Sequence, residues 1–177
     1  MRICVFCSAN DSLDSEIVAQ TSALGRWAAA NGHTIVFGGN DSGLMHAVSL
    51  AARDGGGRLV GVVPHVIEQR GKLSPYLDVH IPCETLSDRK DLMVLQSDAF
   101  VVLPGGIGTL DELFTVASSA GLGYHSKPII IYNMCGFWDS LLQMLDDLEQ
   151  RGVIRGHWRD AIRVVTTLEE LAAAIGE

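Results

Sequence analysis

Short apolar runs alternate with stretches of helical spacing along the whole chain, and this alternation limits the fold more than any other feature. The runs RICVFC (2–7), TIVF (34–37), LVGVV (59–63), DVHI (78–81), AFVVL (99–103), PIIIY (128–132) and IRVV (162–165) read as strands. Most are apolar throughout, as in strands buried on both faces. Between them, helices are expected over 14–30, 44–53, from Thr85 or Ser87 to Leu95, from Gly108 onward, over 138–148 and over 168–175. Residues 65–74 read as a short helix or a loop. Strands joined through helices pair in parallel. The pattern therefore predicts an α/β fold, a Rossmann-like doubly wound parallel sheet flanked by helices, in a single domain over 1–177.

Composition then narrows the function. With 47% hydrophobic and 19% charged residues the chain is globular, and its net charge of −8 disfavours broad binding to nucleic acid or an anionic membrane surface. An anionic ligand must be captured locally. No apolar run approaches the roughly 18 residues of a membrane span, and the opening MRICVFCSAND is too short and too quickly polar for a secretory signal. A cytoplasmic protein is expected. Cys4 and Cys7 form a C-x-x-C, but residues three apart on a strand face opposite ways, and no second pair completes a metal set. Buried thiols and no metal site are the expectation.

The stretch with chemical content is SDAFVVLPGGIGTLDEL, 97–113. A strand ends at Pro104, Gly105-Gly106 turns the chain, and Gly108-Thr109 opens a helix. Free backbone N–H groups at the positive end of a helix dipole make such a turn a ready anion site. Asp111 and Glu112 follow, and residues next to each other on a helix point about 100° apart, so only one can face a crevice. The loop is not a Walker A motif, because no Lys follows its last glycine, and it lacks the third glycine of the dinucleotide fingerprint. Ligands of doubly wound folds bind beyond the carboxyl ends of the strands. Loops 8–12, 38–43 and 104–109 are expected to meet there.

LPGGIGTLDEL resembles the Pro-Gly-Gly-x-Gly-Thr-x-x-Glu signature of the Lonely Guy (LOG) family, cytokinin riboside 5′-monophosphate phosphoribohydrolases long mislabelled as lysine decarboxylases. VFCS, FGGNDSGLM, GVVP, DRKDLM and HSKPIIIYNMCGFWDSLL agree with it in order and spacing, so the resemblance spans nearly the whole chain. It implies hydrolysis of the N-glycosidic bond of a nucleoside 5′-monophosphate, giving an adenine-type base and ribose 5-phosphate. Arg89 and Glu112 would be the catalytic pair, with Asp111 the weaker candidate for the acid. Gly105, Gly106, Gly108 and Thr109 would hold the phosphate, helped by Ser8, Gly39 and Lys90. Met45 and Met93 would lie near the base. No cofactor is implied, and a homodimer or higher homo-oligomer is.

On the residues alone, Arg89 reads first as a solvated helix charge and the two methionines as core fillers. The chain also departs from the family's pattern. Ser8-Ala9 stands for Gly-Ser, Leu86-Ser87-Asp88 for the segment before Arg-Lys, and Ser119 and Gly121 replace an aromatic and an amide. Changes at Ser119 and Gly121 are expected to alter the pocket or a dimer contact. Two other readings stay open: a non-catalytic nucleotide or molybdenum-cofactor carrier of the same fold, and a general AMP nucleosidase.

Overall fold

The structure, a computed structural model, describes residues 1–176. Seven parallel strands form one sheet: β1 (Arg2–Phe6), β2 (Thr34–Phe37), β3 (Arg58–Pro64), β4 (Val79–Cys83), β5 (Ala99–Val102), β6 (Ile129–Tyr132) and β7 (Arg163–Val165). Their order is β4-β3-β2-β1-β5-β6-β7. The chain builds outward from β1 to β4, then returns to place β5 on the free side of β1. Registers such as Cys4 with Phe100 and Val5 with Phe37 fix the three innermost strands. The connection reverses between β1 and β5, which opens a crevice beyond their carboxyl ends.

The helices are α1 (Ser15–Ala30), α2 (Gly43–Asp54), α3 (His65–Gln69), α4 (Leu86–Leu95), α5 (Ile107–Gly121), α6 (Asp139–Gln150), α7 (Trp158–Ala161) and α8 (Leu168–Ile175). Strand side chains alternate between two cores. Ile3, Val5, Val101 and Leu103 meet Leu24 of α1, Val48 of α2 and Leu171 of α8. Cys4, Phe6, Phe100 and Val102 meet Met93 of α4, Leu113 and Val116 of α5, Leu145 of α6 and Trp158 of α7. Phe6 and Phe100 stack with ring centroids 5.8 Å apart. Both faces of the sheet are covered, so the strands are apolar on both sides, as their sequences require.

The sequence boundaries shift by a residue or two. Cys7 and Leu103 leave their strands, and α5 starts at Ile107 instead of Gly108. The 65–74 stretch resolves into α3 and an isolated bridge from Asn40 to Leu73. A 3₁₀ turn (Met134–Gly136) precedes α6, and the four-residue α7 was not expected. Cys4 and Cys7 face opposite cores and, with Cys83, are buried free thiols, whereas Cys135 is exposed. Among the described residues no helix is long and apolar enough to cross a membrane.

Candidate active site

The crevice is built by the turns that leave β1, β2 and β5. Ser8 N donates to Pro104 O and Leu44 N donates to Ser8 O, which ties the first turn to both others. After β5, α5 begins without a side-chain cap, and its first internal bond runs from Leu110 N to Gly106 O. The N–H groups of Ile107, Gly108 and Thr109 are therefore left without helical acceptors at the positive end of a 15-residue helix. A Cβ at Gly105 would lie 2.1 Å from Thr109 Oγ1. Glycine there lets the buried threonine fold back under the loop.

Arg89 reaches the crevice from the opposite wall. The segment Thr85-Leu86-Ser87-Asp88 closes a capping box: Asp88 N donates to Thr85 Oγ1 and Thr85 N to Asp88 Oδ2, both at 3.1 Å. Such a cap contributes about 1 kcal/mol and fixes where the helix starts. Thr85, of the two starts the sequence allowed, is the cap. Arg89, one turn in, sends its side chain across β3, where Nε donates to Val62 O at 3.3 Å. Its guanidinium lies against Gly38, where a Cβ would stand only 1.8 Å from Nη2.

Arg89 Nη1 and Glu112 Oε1 are 3.7 Å apart, too long for a hydrogen bond but close enough for a strong charge interaction. Glu112 is only 7% exposed. Burial raises its pKa to about 7, and the opposing charge of Arg89 does not fully compensate. Desolvation is the larger effect, so the Arg89 charge does not hold the acid firmly ionised. Glu112 is poised to exchange a proton near neutrality.

The cleft encloses about 210 Å³ and is lined by Ser8, Met45, Arg89, Gly106, Gly108, Thr109 and Glu112, together with Cys7 and Ala9. Gly105 supports it from behind. Four other residues singled out from the sequence lie elsewhere. Asp111 turns outward on α5 and pairs at 2.8 Å with Lys90, which is directed along the surface and away from the cleft. Met93 is buried in the core formed with α5 and α6. Gly39 faces β3, where its Cβ would meet Val63 Cγ2 at 2.4 Å. The glycine that makes room for Arg89 is its neighbour Gly38. Sequence reasoning also missed Cys7 and Ala9, although the end of the strand at a reversal of connection marks them as cleft positions. Burial and then the Glu112 charge push the Cys7 thiol up, so it stays protonated and serves as wall, not nucleophile.

Ser119 and Gly121 do not line this cleft. They lie in the last turn of α5, about 20 Å from its first residue at 1.5 Å per residue. The sequence departures there leave the cleft of this chain untouched. Gly121 instead borders a larger cavity of about 440 Å³ at the opposite edge of the sheet. That cavity has no buried carboxylate and no glycine turn onto a helix start, so the smaller cleft is the candidate for chemistry.

Comparison with known proteins gives the family. A family described as "possible lysine decarboxylase" matches residues 45–175. The chain is 35% identical to cytokinin riboside 5′-monophosphate phosphoribohydrolase LOG3 of Arabidopsis thaliana, covering 99% of this chain and 82% of the relative. It is 36% identical to the protein named cytokinin riboside 5′-monophosphate phosphoribohydrolase in Mycobacterium tuberculosis, covering 97% and 91%. The molybdenum cofactor carrier protein of Chlamydomonas reinhardtii superposes with a TM-score of 0.74 at 21% identity, over 98% of this chain and 94% of that one, which is a likeness of fold. The decarboxylase description does not fit the residues. Pyridoxal phosphate needs a lysine in the site for its Schiff base. Lys72, Lys90 and Lys127 all lie outside the cleft, Lys90 paired with Asp111 and Lys127 donating to Val94 O. By sequence over its full length and by its signature, the chain belongs to the Lonely Guy (LOG) family of phosphoribohydrolases.

Proposed function

We propose that this chain hydrolyses the N-glycosidic bond of an adenine-type nucleoside 5′-monophosphate, releasing the free base and ribose 5-phosphate. The observation that carries the reading is the buried Glu112 carboxylate with the half-buried Arg89 guanidinium 3.7 Å away, set beside the uncapped start of α5. The N–H groups of residues 107–109 and the hydroxyls of Ser8 and Thr109 bind the 5′-phosphate. That remote binding energy positions the sugar. As the C1′–N bond breaks, its electron pair leaves with the base and positive charge builds on the ribose. The Glu112 carboxylate stabilises that charge and takes a proton from the attacking water, whose oxygen bonds to C1′. The proton is then available for the departing base nitrogen. Arg89 binds ribose hydroxyls or phosphate with its planar fork and favours the ionised acid. Met45 lines the cleft toward the base.

The same reading places the enzyme in the cytoplasm as a homodimer or higher homo-oligomer. The nearly bare Ile107, 87% exposed, and Phe114 two turns along α5 offer an apolar strip beside the cleft for a second copy. Base release from AMP, isopentenyladenosine monophosphate, GMP and CMP tests the substrate. Release is expected from the two adenine-type monophosphates, and their ranking separates cytokinin activation from AMP breakdown. Binding of all four without release of any base would overturn hydrolysis and leave a nucleotide or cofactor binder.

A further inference from the structure

We infer that Lys90 and Asp111, outside the cleft, are positioning residues whose ion pair sets the approach of α4 to α5 and with it the Arg89–Glu112 geometry. Their effect on turnover rests on the hydrolysis proposed above. Arg89 and Lys90 are neighbours on α4, and Asp111 and Glu112 are neighbours on α5. Successive helix residues point about 100° apart, so each helix offers one residue to the cleft and one to the surface. The inner pair stands 3.7 Å apart, beyond hydrogen-bond range. The outer pair is closed, with Lys90 Nζ donating to both Asp111 carboxylate oxygens at 2.8 and 2.9 Å.

The helix that carries Arg89 is anchored at its other end. Met93 is the one fully buried residue of α4, Leu92 and Val94 pack partly into the same core, and Lys127 Nζ donates to Val94 O at 2.7 Å. Residues 86–91 include no buried side chain, and Leu86 is 62% exposed. The tether of Arg89 itself is one long bond, Nε to Val62 O at 3.3 Å, which runs to β3 and does not reach α5. Among the described residues, Lys90 with Asp111 is the one hydrogen-bonded link between α4 and α5. The spacing inside the cleft is therefore held from outside it. The alternative is that the outer pair acts through its charges alone. Burial raises the Glu112 pKa, Arg89 is the strongest charge opposing it, and Asp111 and Lys90 follow with opposite effects. The thiols of Cys4 and Cys7, the other ionisable groups facing Glu112, stay protonated. Removing Lys90 and Asp111 together leaves the field at Glu112 nearly balanced, so a further rise in its pKa reports a displaced Arg89.

A double-mutant cycle tests the link, with Lys90→Gln, Asp111→Asn and the two combined in the full chain. The Glu112 carboxyl is titrated by carbon NMR, its signal assigned by its loss in Glu112→Gln, and base release is measured on isopentenyladenosine monophosphate. In the double variant the Glu112 pKa should rise by about half a pH unit, as part of the opposing Arg89 charge is lost. kcat/KM should fall about fivefold or more, because small misplacements of a charged group in a site are costly. Each single variant should lose about as much release as the double one, since all three break the same link. A half-exposed ion pair adds little to the fold, so Tm should stay within a few degrees of the parent and the losses cannot be ascribed to unfolding. An unchanged Glu112 titration in the double variant, or undiminished release there, would overturn the inference. If the unmodified chain releases no base from any nucleotide, hydrolysis fails, and the Glu112 titration still decides whether the outer pair sets the inner one.

Discussion

Replacing Glu112 by Gln is expected to abolish base release and, at the same time, to stabilise the fold above neutral pH. The two effects share one cause. The acid is buried with its pKa raised from 4.5 to about 7, so the folded chain keeps a proton that the unfolded chain has already lost. Below pH 4.5 both states are protonated and the group contributes nothing to pH dependence. Between 4.5 and 7 the folded state binds more protons, so stability falls as pH rises, and above 7 the full penalty is present. At 1.36 kcal/mol per unit the penalty is at most about 3 kcal/mol. Gln fills the same space without charge. Its Tm should match the parent near pH 4 and exceed it by about 5–10 °C at pH 8, less whatever is lost when Arg89 keeps only a neutral neighbour. Turnover should fall by about 10³-fold, the scale of a missing acid–base group. Thermal unfolding of both proteins across pH 4–9 reads the first effect and base release the second. Parallel unfolding curves at every pH would contradict the burial argument.

Gly38→Ala is expected to cost catalysis and little stability. Glycine 38 does not occupy the left-handed region of backbone space, so alanine suits the backbone. The clash falls on Arg89 Nη2, the far end of a flexible side chain. The guanidinium must swing away, and Glu112 then loses the cation that opposes its desolvation. Base release should drop about 10²–10³-fold, as when one transition-state donor is removed, while Tm moves by no more than a few degrees. Arg89→Ala should do the same, and the double variant should be no worse than either single one, because both act through one group. Full activity in Gly38→Ala, or additive losses in the double variant, would separate Gly38 from Arg89.

The fold was legible because nearly every strand is apolar on both sides, a pattern that only a doubly covered parallel sheet satisfies. Its irregular parts were not. The four residues of α7 are too few to show a helical period, and the 3₁₀ turn at Met134–Gly136 depends on Cys135 adopting φ 52°, which no residue pattern announces. In the candidate site, Glu112 and the glycine turn are contiguous in sequence, and their spacing alone predicts one crevice. Arg89 comes from a separate helix and was identified through the family signature. Lys90 and Asp111 were grouped with the site because they adjoin Arg89 and Glu112. The 100° step along a helix sends each outward, and there they find each other. Gly38 was missed in favour of Gly39 because its role is steric room for a side chain 51 positions away.

In the proposed reaction the α5 start captures a phosphate so that Glu112 can act on the sugar. It is tested most directly by comparing kcat/KM for base release from isopentenyladenosine monophosphate and from its nucleoside under the same conditions. A preference of at least 100-fold for the monophosphate is expected. Equal values would contradict it.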